Sequence, residues 1–168
     1  MDANRRIKIC VTQTIVASAR RVFAAWVDPA QARKFVLGTP TGDERVQIDA
    51  RVGGRFSFSR EQAGGDAAES GEYFVLDPPR RLVFGHSAPG SSCQVEVVTV
   101  HIAALGAGCE LALVHELDPG RADQAVEIER RWRQALQLLA AMLETGSFRR
   151  LFRRLLGRQS SDAEAAGG

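Results

Sequence analysis

The sequence predicts an α+β protein with helices on one side of a curved antiparallel sheet of about six to seven strands. Three observations carry that expectation. Between Ala122 and Glu144, apolar residues (Ala125, Ile128, Trp132, Ala135, Leu136, Leu139, Met142, Leu143) recur at steps of three and four, the period of a helix with one buried face. Most of the chain before it alternates apolar and polar residues at period two, punctuated by Gly, Pro and Asp. Ahead of that helix, other helical signals occur only between the first strand and the second, as two short stretches.

Taken in order, Ile7, Ile9 and Val11 alternate with Lys8, Cys10 and Thr12 and predict a first strand. Ser18 is placed to cap a helix over Ala19–Val27, in which Val22, Phe23 and Trp26 share a face. Asp28-Pro29 starts a second helix over Pro29–Val36, because Asp accepts free terminal amides and Pro is tolerated at the first position. Strands resume with Val46 and Ile48 and continue over Arg51–Ser59, where Gly53-Gly54 implies a bulge or sharp bend. Ala63–Glu69 is expected to be a polar hairpin loop. Gly71–Leu76 and Arg81–Ser87 form the next hairpin across Asp77-Pro78-Pro79-Arg80, with a four-residue and a five-residue loop both open; one puts Tyr73 on the face of Phe84 and His86, the other Glu72. In the last hairpin a Gly106-Ala107 turn sets Leu105 opposite Gly108. Val98, Val100 and Ile102 then share a face with Leu111 and Leu113, with Glu96 and His115 at its far end and His101 and Glu110 on the outer face. The long helix follows Leu117-Asp118-Pro119-Gly120 and is expected to end at Thr145-Gly146.

A chain of 168 residues with 45% hydrophobic and 25% charged residues fits one soluble domain. The start carries charge and leads into alternation rather than an apolar run, so no secretory signal is read and a cytoplasmic location is expected. Three cysteines without paired spacing favour reduced thiols over disulfides or a zinc site. Cys10, Cys93 and Cys109 are read as small core or near-core hydrophobes, and no metal or cofactor is expected. The formal charge of +2 averages unlike parts: residues 1–146 hold 17 basic and 18 acidic residues, whereas 147–158 hold five arginines and no acid. The body therefore lacks the basic face of a nucleic-acid binder.

The run Asp49-Ala50-Arg51-Val52-Gly53-Gly54-Arg55-Phe56, the later Gly71-Glu72-Tyr73 followed by Asp77-Pro78-Pro79-Arg80-Arg81-Leu82, and the opening Val22-Phe23-Ala24-Ala25-Trp26 with Asp28-Pro29 resemble the activator of Hsp90 ATPase homologue 1-like branch of the START/Bet v 1 (SRPBCC) superfamily. The resemblance runs from about Ile7 to Glu144. It implies a helix-grip fold whose sheet curls around the C-terminal helix and leaves an apolar cavity for a lipid or other small hydrophobic molecule. It also implies a possible chaperone partner, and it carries no shared reaction. Three positions depart from the family pattern: Arg131 precedes Trp132 where Gly is common, Phe35 replaces a common Trp, and His86 stands where Trp often ends the strand.

On that basis residues 1–146 form the domain, and Trp26, Phe35, Phe58, Tyr73, Phe84, His86, Val98, Val100, Leu113, His115, Trp132 and Leu136 are candidates to line the cavity. His115 with Glu96 has the composition of an acid–base pair, but a histidine at the end of a buried face is more often structural; no catalytic residue is assigned. The readings kept open are a binding protein, a chaperone cofactor or interaction module, and a cyclase-like or hydrolase-like enzyme. Asp49 and Arg51, two apart on a strand, suggest an ion pair that maintains the Gly53-Gly54 bend. Beyond the domain, Phe148, Leu151, Phe152, Leu155 and Leu156 alternate at helical spacing with Arg149, Arg150, Arg153 and Arg154. A basic amphipathic helix over 147–158 follows, either docked on the body or directed to an anionic membrane surface or acidic partner; 159–168 is expected to be disordered.

Overall fold

The computed structural model describes residues 6–38, 43–60, 67–87 and 95–164, and beyond Glu144 and at 67–68 it describes backbone only. The chain forms β1 (Ile7–Ile15), α1 (Ala19–Val27), α2 (Pro29–Val36), β2 (Glu44–Ile48), β3 (Arg55–Arg60), β4 (Ala67–Asp77), β5 (Arg81–Ser87), β6 (Glu96–Leu105), β7 (Gly108–Leu117), a 3₁₀ turn (Pro119–Gln124) and α3 (Ala125–Glu164). One antiparallel sheet runs β1-β7-β6-β5-β4-β3-β2. This is the expected helix-grip architecture, with the core between the sheet and the three helices.

Local chemistry explains most of the elements. Asp28 caps α2, its carboxylate accepting from the amides of Ala30 and Gln31 at 2.8 and 3.1 Å. Ser18 occupies the corresponding position of α1 without a side-chain hydrogen bond; its carbonyl accepts from Arg21 and Val22 instead. Gly53-Gly54 lies between β2 and β3 rather than inside a strand, so the expected strand over Arg51–Ser59 begins only at Arg55. Gly53 has φ +79°, and a Cβ on Gly54 would overlap the carbonyl oxygen of Asp49. Asp49 and Arg51 form the expected ion pair beside this bend, at 2.8 Å and exposed.

The two hairpin registers left open by the sequence both occur. Near the turn Leu76 pairs with Leu82 and Asp77 with Arg81, whereas farther along Tyr73 pairs with Phe84 and Glu72 with Gly85. A bulge at Phe74 converts one register into the other, placing Tyr73 in the core and leaving Phe74 exposed. The β6–β7 register is as expected from Leu105↔Gly108 to Val98↔His115, and Val98, Val100, Ile102, Leu111 and Leu113 are buried.

Four expectations are corrected. Glu69 is not in a loop but on β4, which begins at Ala67 and pairs Glu69 with Phe58. Cys10 is exposed, since period two sends it to the outer face between buried Ile9 and Val11; Cys109 is buried and Cys93 lies outside the described residues. Residues 119–124 form a 3₁₀ turn capped by the Asp118 carboxylate on the Gly120 amide, so α3 starts at Ala125 rather than Ala122. Finally, α3 does not end at Thr145-Gly146 but continues to Glu164, because one glycine costs only about 1 kcal/mol within a helix. The expected separate helix over 147–158, and residues 159–164, are part of this one helix. Facing the sheet, α3 buries Ile128, Ala135, Leu136, Leu139, Ala140 and Leu143, close to the stripe read from its periodicity.

Candidate functional site

At one end of the sheet, side chains from four adjacent strands meet the helical layer. Glu69 on β4, His86 on β5, Glu96 on β6 and His115 on β7 face Arg121 of the 3₁₀ turn and Arg131 and Trp132 of α3. Trp132 Nε1 donates to His115 Nδ1 at 3.0 Å, and His115 Nε2 lies 3.1 Å from Glu96 Oε2. Because Nδ1 accepts the indole N–H, the proton of a neutral His115 sits on Nε2 and is donated to Glu96. Glu96 also accepts from Arg121 Nη1 at 2.7 Å and from the Asp118 amide at 3.2 Å. His86 Nε2 is 3.5 Å from Glu69 Oε2, and its Nδ1 is 4.0 Å from Glu96 Oε2. Arg131 Nη2 donates to Glu69 Oε1.

The electrostatics follow from these contacts. Burial raises the Glu69 carboxyl, but the hydrogen bond to His86 and the Arg131 charge outweigh it and bring it to about 2. Glu96 likewise falls to about 2, burial being overcome by His86, the Asp118 amide, His115 and Arg121. Burial, with the charges of His86 and Arg121 added, drives His115 down to about 4 and keeps it neutral at pH 7, against the opposing pull of Glu96. In His86, burial is outweighed by the two flanking carboxylates, and the imidazolium is favoured.

His86, Glu96 and His115 each offer one ligand atom within 4.8 Å of the others. A cation there would meet Arg121 on the same Glu96 oxygen, and both ring nitrogens of His115 are already engaged. The chemistry of the donor set is that of a hydrogen-bonded network tying α3 and the 3₁₀ turn to the sheet, not of a metal centre.

Beside the network sits an aromatic cluster. Trp26 packs 5.1 Å from Phe35 and 6.2 Å from both Phe84 and Trp132, and Phe56 stands 5.3 Å from Tyr73 and Phe84 between ring centroids. Two small spaces lie between the sheet and α3 among the described residues. A space of about 30 Å³ is bordered by Trp26, Phe58, Tyr73, Phe84, His86 and Trp132. Another of about 40 Å³ lies among Glu69, His86, His115, Arg121 and Trp132. A cleft of about 290 Å³ opens where α2, β3 and α3 meet, with Phe35, Val36, Leu37, Phe58 and Leu138 as apolar walls and Arg60, Glu69, Arg131 and Gln134 as polar ones. Glu69 borders the cleft and both smaller spaces. A wider opening of about 570 Å³ lies elsewhere, among Gln47, Arg55, Ser57, Glu72, Phe74 and Val95, and none of the twelve candidate cavity residues borders it.

Eight of the twelve candidate cavity residues thus border a space or cleft: Trp26, Phe35, Phe58, Tyr73, Phe84, His86, His115 and Trp132. Val98, Val100, Leu113 and Leu136 are fully buried core and border none of the three. The candidate contact residues Phe148, Arg149, Arg150, Phe152, Arg153 and Arg154 lie on the continuation of α3, with side chains outside the described residues. Sequence reasoning missed Glu69, Arg121 and Arg131. The departure at Arg131-Trp132 was the available signal for Arg131; a glycine at 131 would leave Glu69 without its guanidinium.

A family model described as activator of Hsp90 ATPase homolog 1-like protein matches residues 16–144. Among solved structures, protein CV1439 from Chromobacterium violaceum is 26% identical, with a TM-score of 0.67 over 82% of this chain and 97% of that chain. CalU16 from Micromonospora echinospora is 23% identical at a TM-score of 0.64, covering 99% of this chain and 90% of its own. An HSP90 activator from Plasmodium falciparum is 21% identical at a TM-score of 0.55, over 67% of this chain and 74% of that one. None of the curated proteins compared matches the sequence.

Proposed function

The chain belongs to the activator of Hsp90 ATPase homolog 1-like family, and from that premise we propose that it binds a small, mainly apolar molecule in the cleft between α2, β3 and α3. The observation that carries this reading is the cleft itself: about 290 Å³, apolar on the side of Phe35, Leu37, Phe58 and Leu138, polar on the side of Arg60 and Arg131. The binding place moves outward from the fully internal cavity expected of the fold, because the internal spaces of about 30 and 40 Å³ have room for roughly one water each. Binding is favoured over catalysis because neutral His115 has both nitrogens engaged and so lacks a free lone pair with which to take a proton. Native mass spectrometry after incubation with fatty acids and flavonoid-like dyes is expected to retain one small molecule per chain; retention of none of them contradicts the reading.

A second reading, a cofactor of an Hsp90-type chaperone, is supported by the family's description and by the fold shared with the Plasmodium falciparum HSP90 activator. It predicts that the purified protein stimulates an Hsp90-type ATPase, and an unchanged rate at saturating protein counts against it. The proposal also includes a cytoplasmic setting, supported by three cysteines without paired spacing. For the arginine-rich stretch 147–158 it includes an anionic membrane surface or acidic partner, supported by five arginines and no acid.

A further inference from the structure

Two buried donors border the same small space without a hydrogen-bond acceptor among the described residues. Trp26 is 6% exposed and its Nε1 donates to none of them; His86 is 8% exposed, and its Nδ1 has only the Glu96 carboxylate nearby, at 4.0 Å, beyond hydrogen-bond distance. Both side chains line the space of about 30 Å³, which is otherwise walled by Val36, Phe56, Phe58, Tyr73, Phe84 and Trp132 and by the Glu69 carboxylate. The indole N–H is a donor only, and His86, flanked by two carboxylates, favours the form with N–H on both nitrogens. Both donors point to an acceptor: the space holds one water-sized group, and a ligand oxygen delivered there can take its hydrogen bonds from both. Val36, Phe58 and Glu69 border both this space and the cleft, so the two adjoin across these three side chains.

We propose that the space between Trp26 and His86 is a subsite for one neutral oxygen acceptor, and that the ligand class of the cleft is an apolar molecule carrying a carbonyl group. This rests on the cleft-binding reading and adds the identity of the recognised group. The carboxylate of Glu69 on the same wall favours a neutral carbonyl over an anionic carboxylate, and the unpartnered donors favour either over an ammonium or a plain hydrocarbon.

Four probes of similar size separate these alternatives: acetophenone, benzoate, ethylbenzene and benzylamine, titrated into the full chain by ligand-observed NMR. Acetophenone is expected to bind about 3- to 10-fold more tightly than ethylbenzene, the worth of one hydrogen bond, and more tightly than benzoate or benzylamine. Trp26→Phe keeps a ring and removes the donor; it is expected to erase much of the acetophenone advantage while leaving ethylbenzene binding within about 2-fold, less than the loss of one hydrogen bond. Equal binding of acetophenone and ethylbenzene, or equal weakening of both by Trp26→Phe, overturns the acceptor subsite and leaves the cleft reading standing. Tighter binding of benzoate or benzylamine overturns the stated class. Failure of all four probes to bind overturns the subsite together with the cleft reading.

Discussion

Glu96 is the residue on which the network turns. It is 2% exposed and is held by His115, Arg121 and the Asp118 amide. Glu96→Ala leaves the His115 N–H unpaired and Arg121 without its counter-charge, and is expected to cost about 3–5 kcal/mol in urea unfolding, the range for breaking a buried pair from one side. The histidines impose opposite pH dependences. His86 titrates above its ordinary value of 6.5, so its contribution is complete below 6.5 and is lost as pH rises through the folded value. His115 titrates at about 4, so the unfolded chain takes its proton first and stability falls as pH drops from 6.5 toward 4. Glu69 and Glu96, at about 2, add stability above 4.5 that is lost on further acidification. Together these opposing dependences put the expected stability maximum near pH 6.5. His86→Gln should flatten the alkaline side of the curve in a series of urea melts, and an unaltered alkaline limb refutes the assignment. At this scale the sequence revealed the His115–Glu96 pair, because strand alternation and one tight turn fix both positions. Glu69 and Arg121 were not legible: one depends on where β4 begins, the other on a 3₁₀ turn folding back over β6.

Between residue and fold, turns and helix ends set the geometry. Gly54→Ala forces a methyl group onto the Asp49 carbonyl oxygen between β2 and β3, whereas Gly106→Ala places one in open space at φ +57°. The first is expected to cost at least the 1–3 kcal/mol or so of overpacking, and the second about 1 kcal/mol of backbone strain, so thermal melts should rank Gly54→Ala clearly lower. Equal melting temperatures contradict this account of the bend. Deleting 147–168 removes the arginine-rich stretch of α3 and leaves in place every α3 residue that is buried among the described ones, Ile128 to Leu143. The truncated chain is expected to keep its far-UV spectrum and to lose affinity for anionic vesicles by co-sedimentation; unchanged vesicle binding removes the membrane proposal. The two short helices were legible to the residue because Asp28-Pro29 separates them. The bulge at Phe74 was not, since each register is locally self-consistent and only the pairing of the whole strand joins them. Nor was the run of α3 through Gly146, where continued helical spacing outweighs one glycine.

For the whole molecule, the helix-grip plan was legible in the order of its elements, and the apolar faces of β6, β7 and α3 meet as their periodicities require. The volume they enclose was not legible, because it depends on how large the inward side chains are relative to the curvature of the sheet. Trp26, Phe56, Phe84 and Trp132 pack against one another in the interior, the spaces beside them among the described residues hold about 30 and 40 Å³, and the proposed binding place is therefore the cleft. Leu138 stands on the cleft wall and is 38% exposed, so enlarging it fills the cleft without disturbing the core. The central claim is tested most directly by measuring binding of an apolar probe retained by the native protein against Leu138→Trp in parallel, with melting temperature as control. An affinity loss of about tenfold or more, equivalent to about 1.4 kcal/mol, at an unchanged melting temperature is the expected result. Undiminished binding by the variant contradicts it.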